Sequence, residues 1–264
     1  MKKQYTGPWR MAHRGVCQIA PENTFEAFRA AYHAGIEGLE IDIRMTQDGV
    51  IVIHHDETLE RMTSGADTPC GKPVKDCTWE ELAQLQIPYA NHLLGQDNPN
   101  DTRTAKLMQL SELFEWVNGL TYRVILEIEY KASGMMPELY RLLEAFDKRS
   151  DCVIFASELE MIAEVQQYVR SHPLPEGVKL GANIGRLTPE WKEQIPLMKL
   201  FEVGLDIDAL EREDIAWLRA RGMMVFANLG DTPQGWNMIC TRGLTGFKTD
   251  DTAAFTAWWN NWKS

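Results

Sequence analysis

From Gly38 to Thr46 the chain alternates without a break. Leu39, Ile41, Ile43 and Met45 fall on one face, and Glu40, Asp42, Arg44 and Thr46 on the other. A period of two is the signature of a strand. A second apolar run, Val50 to Ile53, follows Gln47, Asp48 and Gly49, and Asp-Gly between two strand-like runs predicts a tight hairpin. With Asp48 and Gly49 as the two central residues, Gln47 faces Val50 and Asp42 falls opposite His55; directly opposed side chains lie about 5 Å apart. On that register two carboxylates and an imidazole meet at one place. Taken alone, the stretch also fits the wet face of an ordinary sheet that ends in the polar residues His54, His55 and Asp56.

The remaining pattern decides between these readings. Trp9 to Gly15 reads as a short strand ending in His13 and Arg14. A helix follows, with Asn23 as N-cap, Phe25, Phe28 and Tyr32 at helical spacing and Gly35 as its close. Glu57 to Thr104 is irregular, with one short helix at Trp79 to Leu85 and a polar run from Asn91 to Thr104; it reads as an excursion over a rim and a candidate lid. A helix at Leu110 to Asn118 leads into a strand at Arg123 to Lys131. Further strands are predicted at Cys152 to Ser157, Val178 to Asn183, Leu200 to Leu205, Met223 to Leu229 and Gly246 to Asp250. Helices fall at Pro137 to Asp147, Leu159 to Arg170, Pro189 to Gln194, Glu211 to Arg221 and Gln234 to Thr241.

Alternating strands and helices imply parallel strands joined by helical crossovers. The return arm of the hairpin follows too closely to be one of them, and leaving it out gives the strand count of an α/β (β/α)8 TIM barrel. The expectation is a single domain over residues 1–264, with a hairpin and an irregular insertion at 57–104 after its second strand. A doubly wound open sheet would want a Gly-rich phosphate turn after the first strand, and Arg14 to Cys17 does not supply one.

Composition narrows the function. A chain of 264 residues, 44% hydrophobic and 25% charged, can bury one large core. Met1 to Tyr5 is basic but leads into no apolar leader, and no run approaches the ~18 apolar residues of a membrane span, so a cytoplasmic location without a transmembrane segment is expected. The five cysteines, Cys17, Cys70, Cys77, Cys152 and Cys240, are odd in number and lack CxxC spacing, which points to reduced thiols. A formal charge of -11 argues against nucleic acid or an anionic bilayer as partner. It leaves a small anionic substrate open, because bulk charge is screened beyond about 8 Å at physiological salt.

In a (β/α)8 barrel the chemistry sits at the C-terminal ends of the strands, and the polar residues gather there. His13 and Arg14 end the first strand, Glu40 and Asp42 sit on the second, Glu129 and Lys131 end the third, Asn228 the seventh and Asp250 the eighth. Glu40, Asp42 and Glu129 make an oxygen-rich set suited to one Mg2+ or Ca2+ rather than zinc. His13 and His55 are then available for proton transfer, while Arg14 and Lys131 add positive charge for an anion. Glu127 lies deeper on the same inward face, where an unpaired carboxylate is costly, so a partner is expected for it. Glu22 is placed to orient Arg14 or a histidine.

The runs AHRG (Ala12 to Gly15), PENT (Pro21 to Thr24), EIDI (Glu40 to Ile43), TQDG (Thr46 to Gly49), HHD (His54 to Asp56), EYK (Glu129 to Lys131) and KTD (Lys248 to Asp250), in this order and across nearly the whole chain, closely resemble the glycerophosphodiester phosphodiesterase family. The resemblance implies a TIM barrel that hydrolyses small glycerophosphodiesters to an alcohol and sn-glycerol 3-phosphate. In it, His13 and His55 would be acid and base, Glu40, Asp42 and Glu129 would be metal ligands, and Arg14 and Lys131 would hold the phosphate, with Glu22, Asn23, Asn228 and Asp250 in support. The family often carries Ser-Phe where Ala156-Ser157 stands here, and Trp-Thr-Val-Asn near Phe226-Ala227-Asn228. Both places flank the expected pocket and bear on which alcohol is accepted. A lysophospholipase D-type activity is the rival within the enzyme class and asks for an apolar groove beside the metal. A catalytically silent phosphate-binding barrel is the rival outside it, and the complete set of two histidines and three carboxylates argues against that.

Other features read as structural. Trp258, Trp259 and Trp262 in the last helix are expected to cover the barrel, with a homodimer contact as the alternative. Met135 and Met136 pack or line the mouth, His33 lies on a helix surface, and Cys17 sits in the first rim loop near the expected site.

Overall fold

The computed structural model of the chain describes residues 6–63, 71–90, 92, 93, 95 and 98–262. Met1 to Tyr5, Cys70 and parts of the 57–104 section, Asn91 among them, lie outside the described residues. The first half of the chain runs β1 (Trp9–His13), α1 (Phe25–Ala34), β2 (Gly38–Met45), β3 (Ile51–Ile53), α2 (Trp79–Leu82), β4 (Ile87–Pro88), β5 (Thr104–Ala105), β6 (Met108–Gln109) and α3 (Leu110–Asn118). It continues with β7 (Ile125–Tyr130), α4 (Met136–Ala145), β8 (Cys152–Phe155), α5 (Leu159–Ser171), β9 (Lys179–Gly185) and α6 (Pro189–Gln194). The last part is β10 (Glu202–Leu205), α7 (Arg212–Arg219), β11 (Met224–Ala227), α8 (Pro233–Arg242), β12 (Gly246–Thr249) and α9 (Thr252–Trp262).

Among the described residues, β1, β2, β7, β8, β9, β10, β11 and β12 pair in parallel in that order, and β1 pairs with both β2 and β12. The sheet therefore closes on itself as a (β/α)8 TIM barrel, which excludes the open doubly wound sheet. Near its C-terminal end β2 carries β3 as an antiparallel neighbour, and β3 carries β6. The hairpin thus extends the sheet outside the ring.

The hairpin register differs from the one its Asp-Gly turn predicts. Ile43 faces Ile53 and Met45 faces Ile51, and the next step brings Asp42 level with His54, whose N–H donates to the Asp42 carbonyl at 2.9 Å. His55 is not opposite Asp42. Thr46 N–H donates to the Val50 carbonyl at 2.9 Å and Gly49 N–H to the Thr46 carbonyl at 3.0 Å, with Gly49 at φ 83. This is a three-residue loop with glycine in the left-handed position, and the added residue shifts the register by one.

The start of α1 is a second correction. The N-cap is Thr24, whose hydroxyl accepts from Ala27 N–H, while Asn23 lies just outside at φ 58 and turns its amide toward β2. Both are good capping residues; the neighbour's tertiary partner settles which one caps.

Leu39, Ile41 and Ile43 of β2 and Leu126 and Ile128 of β7 point outward into a core shared with Phe28, Leu113, Phe114, Leu139 and Phe146. A second cluster joins β10, β11 and β12 to α7, α8 and α9, with Phe247, Phe255 and Trp259 in it. Burying each such large apolar side chain contributes about 1.5–3 kcal/mol, which is why the outward faces of the strands specify the register of the whole barrel. Trp258 packs partly against this cluster, whereas Trp262 is 43% exposed. Met135 and Met136 are core residues, not mouth residues. Inside the ring, Met11, Ile125 and Phe226 form the floor. The Phe155 ring is accommodated because Gly181 carries no side chain: a Cβ there would lie 2.6 Å from it. The insertion has cores of its own, one around Leu59, Val74, Leu82 and Leu107 beneath Val52, and one around Met62, Ile87 and Tyr89 against Ala20 and Ala27.

β1 ends in a turn that needs glycine for two reasons. Gly15 has φ +95, and a Cβ on it would lie 2.6 Å from Ala27 Cβ and 2.8 Å from the Ala27 carbonyl carbon. Gly15→Ala is therefore expected to destabilise the fold by about 2–4 kcal/mol, read as a lower urea midpoint at unchanged m-value; a loss under about 0.5 kcal/mol would contradict this account of the turn.

Candidate active site

The inward face of β2 presents Glu40 and Asp42, and that of the adjacent β7 presents Glu127 and Glu129, with Glu40 level with Glu127 and Asp42 level with Glu129. Carboxylate oxygens of Glu40, Asp42 and Glu129 lie within 4.8 Å of one another, and all three residues are buried. Each is held from one side. Glu40 Oε2 accepts Arg14 N–H at 3.0 Å, Asp42 Oδ2 accepts Asn23 Nδ2 at 2.9 Å, and Glu129 Oε1 accepts Ser157 Oγ at 2.6 Å and Lys131 Nζ at 3.1 Å. The other oxygens of the first two, Glu40 Oε1 and Asp42 Oδ1, are buried without a hydrogen bond. Oxygens of this kind, on three hard donors, fit a hard divalent cation.

The surroundings tune these acids in opposite directions. Burial, with the charge of Asp42 added, pushes Glu40 well above the usual carboxylate range. Glu129 meets the same burial, but Lys248, Lys131 and the Ser157 hydroxyl outweigh it and hold Glu129 well below that range. Beneath them lies a layer that sequence reading left unassigned. Lys248 Nζ lies 3.2 Å from Glu127 Oε2 and 3.6 Å from the Phe155 ring centroid, which supplies the partner expected for Glu127. Glu202 joins this layer, and burial together with the charge of Glu127 raises its pKa strongly. The signal was in the chain: Glu202 and Gly204 alternate inward on a short strand, and Lys248 does so in the KTD run.

Arg14 sits at φ 57, a conformation that costs a non-glycine residue about 1 kcal/mol or more. Its Nε is 3.1 Å from Asp42 Oδ2 without hydrogen-bond alignment, and its Nη1 donates to Glu22 Oε1 at 3.0 Å. Lys131 Nζ is also 3.8 Å from Asp42 Oδ1. His13 Nδ1 lies 2.6 Å from Asp250 Oδ1, and Asp250 N–H donates to Asp231 Oδ1 at 2.9 Å. His55 Nδ1 lies 2.7 Å from Asp56 Oδ1, and the His55 carbonyl accepts Arg44 Nε at 2.8 Å. An ionised carboxylate only accepts, so each pair fixes the Nδ1–H tautomer and leaves Nε2 as the working nitrogen. His55 connects to the acidic cluster through Asp56, Arg61, Glu22 and Arg14, and Arg61 is a further residue that sequence reading did not assign.

Asn228 is on the mouth but apart from the acids: its Nδ2 donates to Asn183 Oδ1 at 2.5 Å and to Asp206 Oδ1 at 2.6 Å. Cys17 is buried in the first rim loop, its Sγ 3.6 Å from the His13 carbonyl, and His33 is exposed. Among the described residues, Cys17, Cys77, Cys152 and Cys240 form no disulfide with one another. No helix among the described residues is long and apolar enough to cross a membrane.

Comparison with known proteins matches this arrangement to one family. The profile of the glycerophosphoryl diester phosphodiesterase family aligns with residues 13–254. The chain belongs to that family. It is 36% identical over 121 residues to the glycerophosphodiester phosphodiesterase of Caldanaerobacter subterraneus subsp. tengcongensis, covering 45% of this chain and 44% of that one. It is 35% identical over 133 residues to glycerophosphodiester phosphodiesterase 1 of Bos taurus, covering 49% of this chain and 37% of that one. The matched stretch thus spans less than half the length of either relative. In fold it is similar to an Oleispira antarctica phosphodiesterase solved with its product sn-glycerol-3-phosphate, with a TM-score of 0.75 at 22% identity over 96% of this chain and 97% of that one.

Glu22 carries a checkable pH signature. Burial opposes its ionisation, but hydrogen bonds from Arg61 and the charge of Arg14 lower its pKa from 4.5 to about 2. A depressed carboxylate stabilises the fold above its unfolded pKa, and the effect fades as pH falls from about 4.5 toward 2. Glu22→Gln is therefore expected to cost about 2–3 kcal/mol at pH 7 and progressively less toward pH 3, measured by urea unfolding of both proteins across that range. A difference that stays constant with pH would refute the assignment.

Proposed function

We propose that this family member hydrolyses small glycerophosphodiesters to an alcohol and sn-glycerol 3-phosphate, with dependence on one divalent cation. One observation carries the reading: two imidazoles, each fixed on a carboxylate through Nδ1, accompany three clustered carboxylates, two of which keep a buried oxygen without a hydrogen bond, Glu40 Oε1 and Asp42 Oδ1. The family match supports it, as does the fold shared with a product-bound phosphodiesterase.

In this reading Glu40, Asp42 and Glu129 hold Mg2+ or Ca2+, which when bound supplies positive charge to the phosphate oxygens. Asn23, Ser157 and Lys131 hold the acids from behind. Arg14 and Lys131 orient the phosphate and complement its charge. One histidine, His13 or His55, takes a proton at Nε2 from the oxygen that attacks phosphorus. That oxygen belongs either to water or to a neighbouring hydroxyl of the substrate, in which case water opens the resulting cyclic phosphate in a second step with the two histidine roles reversed. The other gives a proton to the departing alkoxide as the P–O bond breaks, so the pair ends with its protons exchanged. Asp250 keeps the His13 tautomer and ring orientation correct, and Asn228, with Asn183 and Asp206, faces the organic part of the substrate. A cytoplasmic location is part of this proposal, and a homodimer contact through α9 is the alternative to a purely covering role for Trp258, Trp259 and Trp262.

A lysophospholipase D-type substrate is the second reading. Ile19, Leu159 and Leu229 follow the C-terminal ends of β1, β8 and β11 and are 55%, 66% and 40% exposed, an apolar set on the mouth side suited to an acyl chain. An assay over glycerophosphodiesters and lysophospholipids separates the two by which panel is turned over.

His13→Ala and His55→Ala are each expected to lower turnover at least a hundredfold with unchanged far-UV circular dichroism; near-full activity in either would end its role. EDTA should abolish release of glycerol phosphate, and added Mg2+ or Ca2+ should restore it. Turnover that persists after thorough chelation would exclude the metal.

A further inference from the structure

Arg61 lies in the turn after β3, and its side chain is 45% exposed, yet its guanidinium is taken up by two acids. Its Nε donates to Asp56 Oδ2 at 2.6 Å, while Nη1 and Nη2 donate to Glu22 Oε2 and Oε1 at 3.0 and 2.7 Å. Both acids have a second duty. Asp56 holds His55 Nδ1 through its other oxygen, and Glu22 Oε1 also accepts from Arg14. Arg14 in turn lies against Asp42. One arginine thus stands between the surroundings of His55 and those of the acidic cluster.

We propose that Arg61 is a positioning residue for the reaction, fixing Asp56 and Glu22 so that His55 and Arg14 are oriented together. The inference rests on the acid–base role proposed for His55. Any cation beside Glu22 and Asp56 would supply the stabilising charge, so stability alone does not account for an arrangement in which Nε and both terminal nitrogens are engaged. Geometry is the better one. A planar fork can hold a carboxylate at two points and a second acid at Nε, which a lysine ammonium cannot reproduce. Without Arg61, Asp56 loses the contact that aims its free oxygen at the imidazole, and Glu22 keeps only Arg14.

Charge makes the role separable from packing. The charged groups bonded to His55 or facing its partners are Asp56 in its own turn, with His54 beside it, Arg61 beyond it, Arg44 from β2, which itself faces Glu57, Asp42 and Glu158, Glu22 from the segment before α1, and His92 after β4, which faces Arg61 and Glu22. Removing the Arg61 cation leaves Asp56 less compensated and favours the imidazolium. Removing the Asp56 charge does the opposite.

The test is steady-state kinetics on glycerophosphocholine with saturating Mg2+ for the full chain and for Arg61→Met, Arg61→Lys, Asp56→Asn and His55→Ala, each with its thermal unfolding curve. Arg61→Met should lower kcat by about tenfold to a hundredfold and leave KM within about threefold. The histidine limb of its pH profile should move up by about one unit. Arg61→Lys should recover part of kcat, and Asp56→Asn should move the same limb down. A kcat for Arg61→Met within about twofold of the parent and an unmoved limb overturn the inference while His55→Ala is inactive. Near-full activity of His55→Ala overturns the underlying acid–base reading instead. Should Arg61→Met prove unfolded at the assay temperature, Asp56→Asn decides alone, and an unmoved limb there overturns the inference.

Discussion

Mutual repulsion among buried carboxylates is the constraint to which this barrel is built. Glu40, Asp42 and Glu129 share a space of 4.8 Å, and each like-charge pair at such a distance costs about 3–4 kcal/mol at an effective dielectric constant near 20. Burial makes the cost larger. Lys248, Lys131 and Arg14 answer part of it from below and from the rim, and Asn23 and Ser157 answer part of it with hydrogen bonds. The compensation is uneven. Glu129 is held firmly ionised, whereas Glu40 is pushed toward its neutral form. A set of acids that the protein itself leaves under-compensated is one that could hold a divalent cation, and under the proposed function folding and metal affinity become two sides of one balance.

The fold explains why such a set can exist. In a closed parallel barrel the inward positions of neighbouring strands lie level, as Asp42 and Glu129 do, and no strand edge lets water relieve the crowding. The floor of Met11, Ile125 and Phe226 is ordinary apolar packing. Between it and the mouth, the Glu127, Glu202 and Lys248 layer is a charged interior that would be costly if any one member were left alone. It carries positive charge up to the level of Glu129 from a side chain that water does not reach.

Much of this is legible along the chain, and the illegible parts share one cause. Strict alternation in Gly38 to Met45 and the strand–helix rhythm after Arg123 report burial on a scale of a few residues, so the barrel and its acidic set can be read directly. The hairpin register cannot, because Asp48-Gly49 suits both a two-residue turn and the three-residue loop with Gly49 left-handed, and packing of Ile43 and Ile53 into the core chooses. Asn23 and Thr24 are equally good caps in isolation; Asp42, nineteen residues on, claims the asparagine. Lys248 and Arg61 go unassigned for the same reason. Their partners, Glu127 and Glu22, are distant in sequence, and a charged residue near a strand end gives no local sign of what lies across the mouth.

Under the proposed function the site also divides its tasks by exposure. Asp42 is fully buried and Glu129 nearly so, on strands locked by ladders on both sides. His13 and His55 have side chains 20% and 29% exposed, at a strand end and in a turn. Charge that must act strongly belongs where the dielectric is low, and groups that must exchange protons with solvent between turnovers belong at the edge. A partly exposed imidazole gains mobility that full burial would have removed. Asp250 and Asp56 restore its aim, and the acids that hold the aim are themselves fixed by Asp231 on one side and Arg61 on the other. The precision of the proposed chemistry therefore depends on loops that the barrel does not rigidify by itself, and this is the physical reason for a second layer of polar contacts outside the strands.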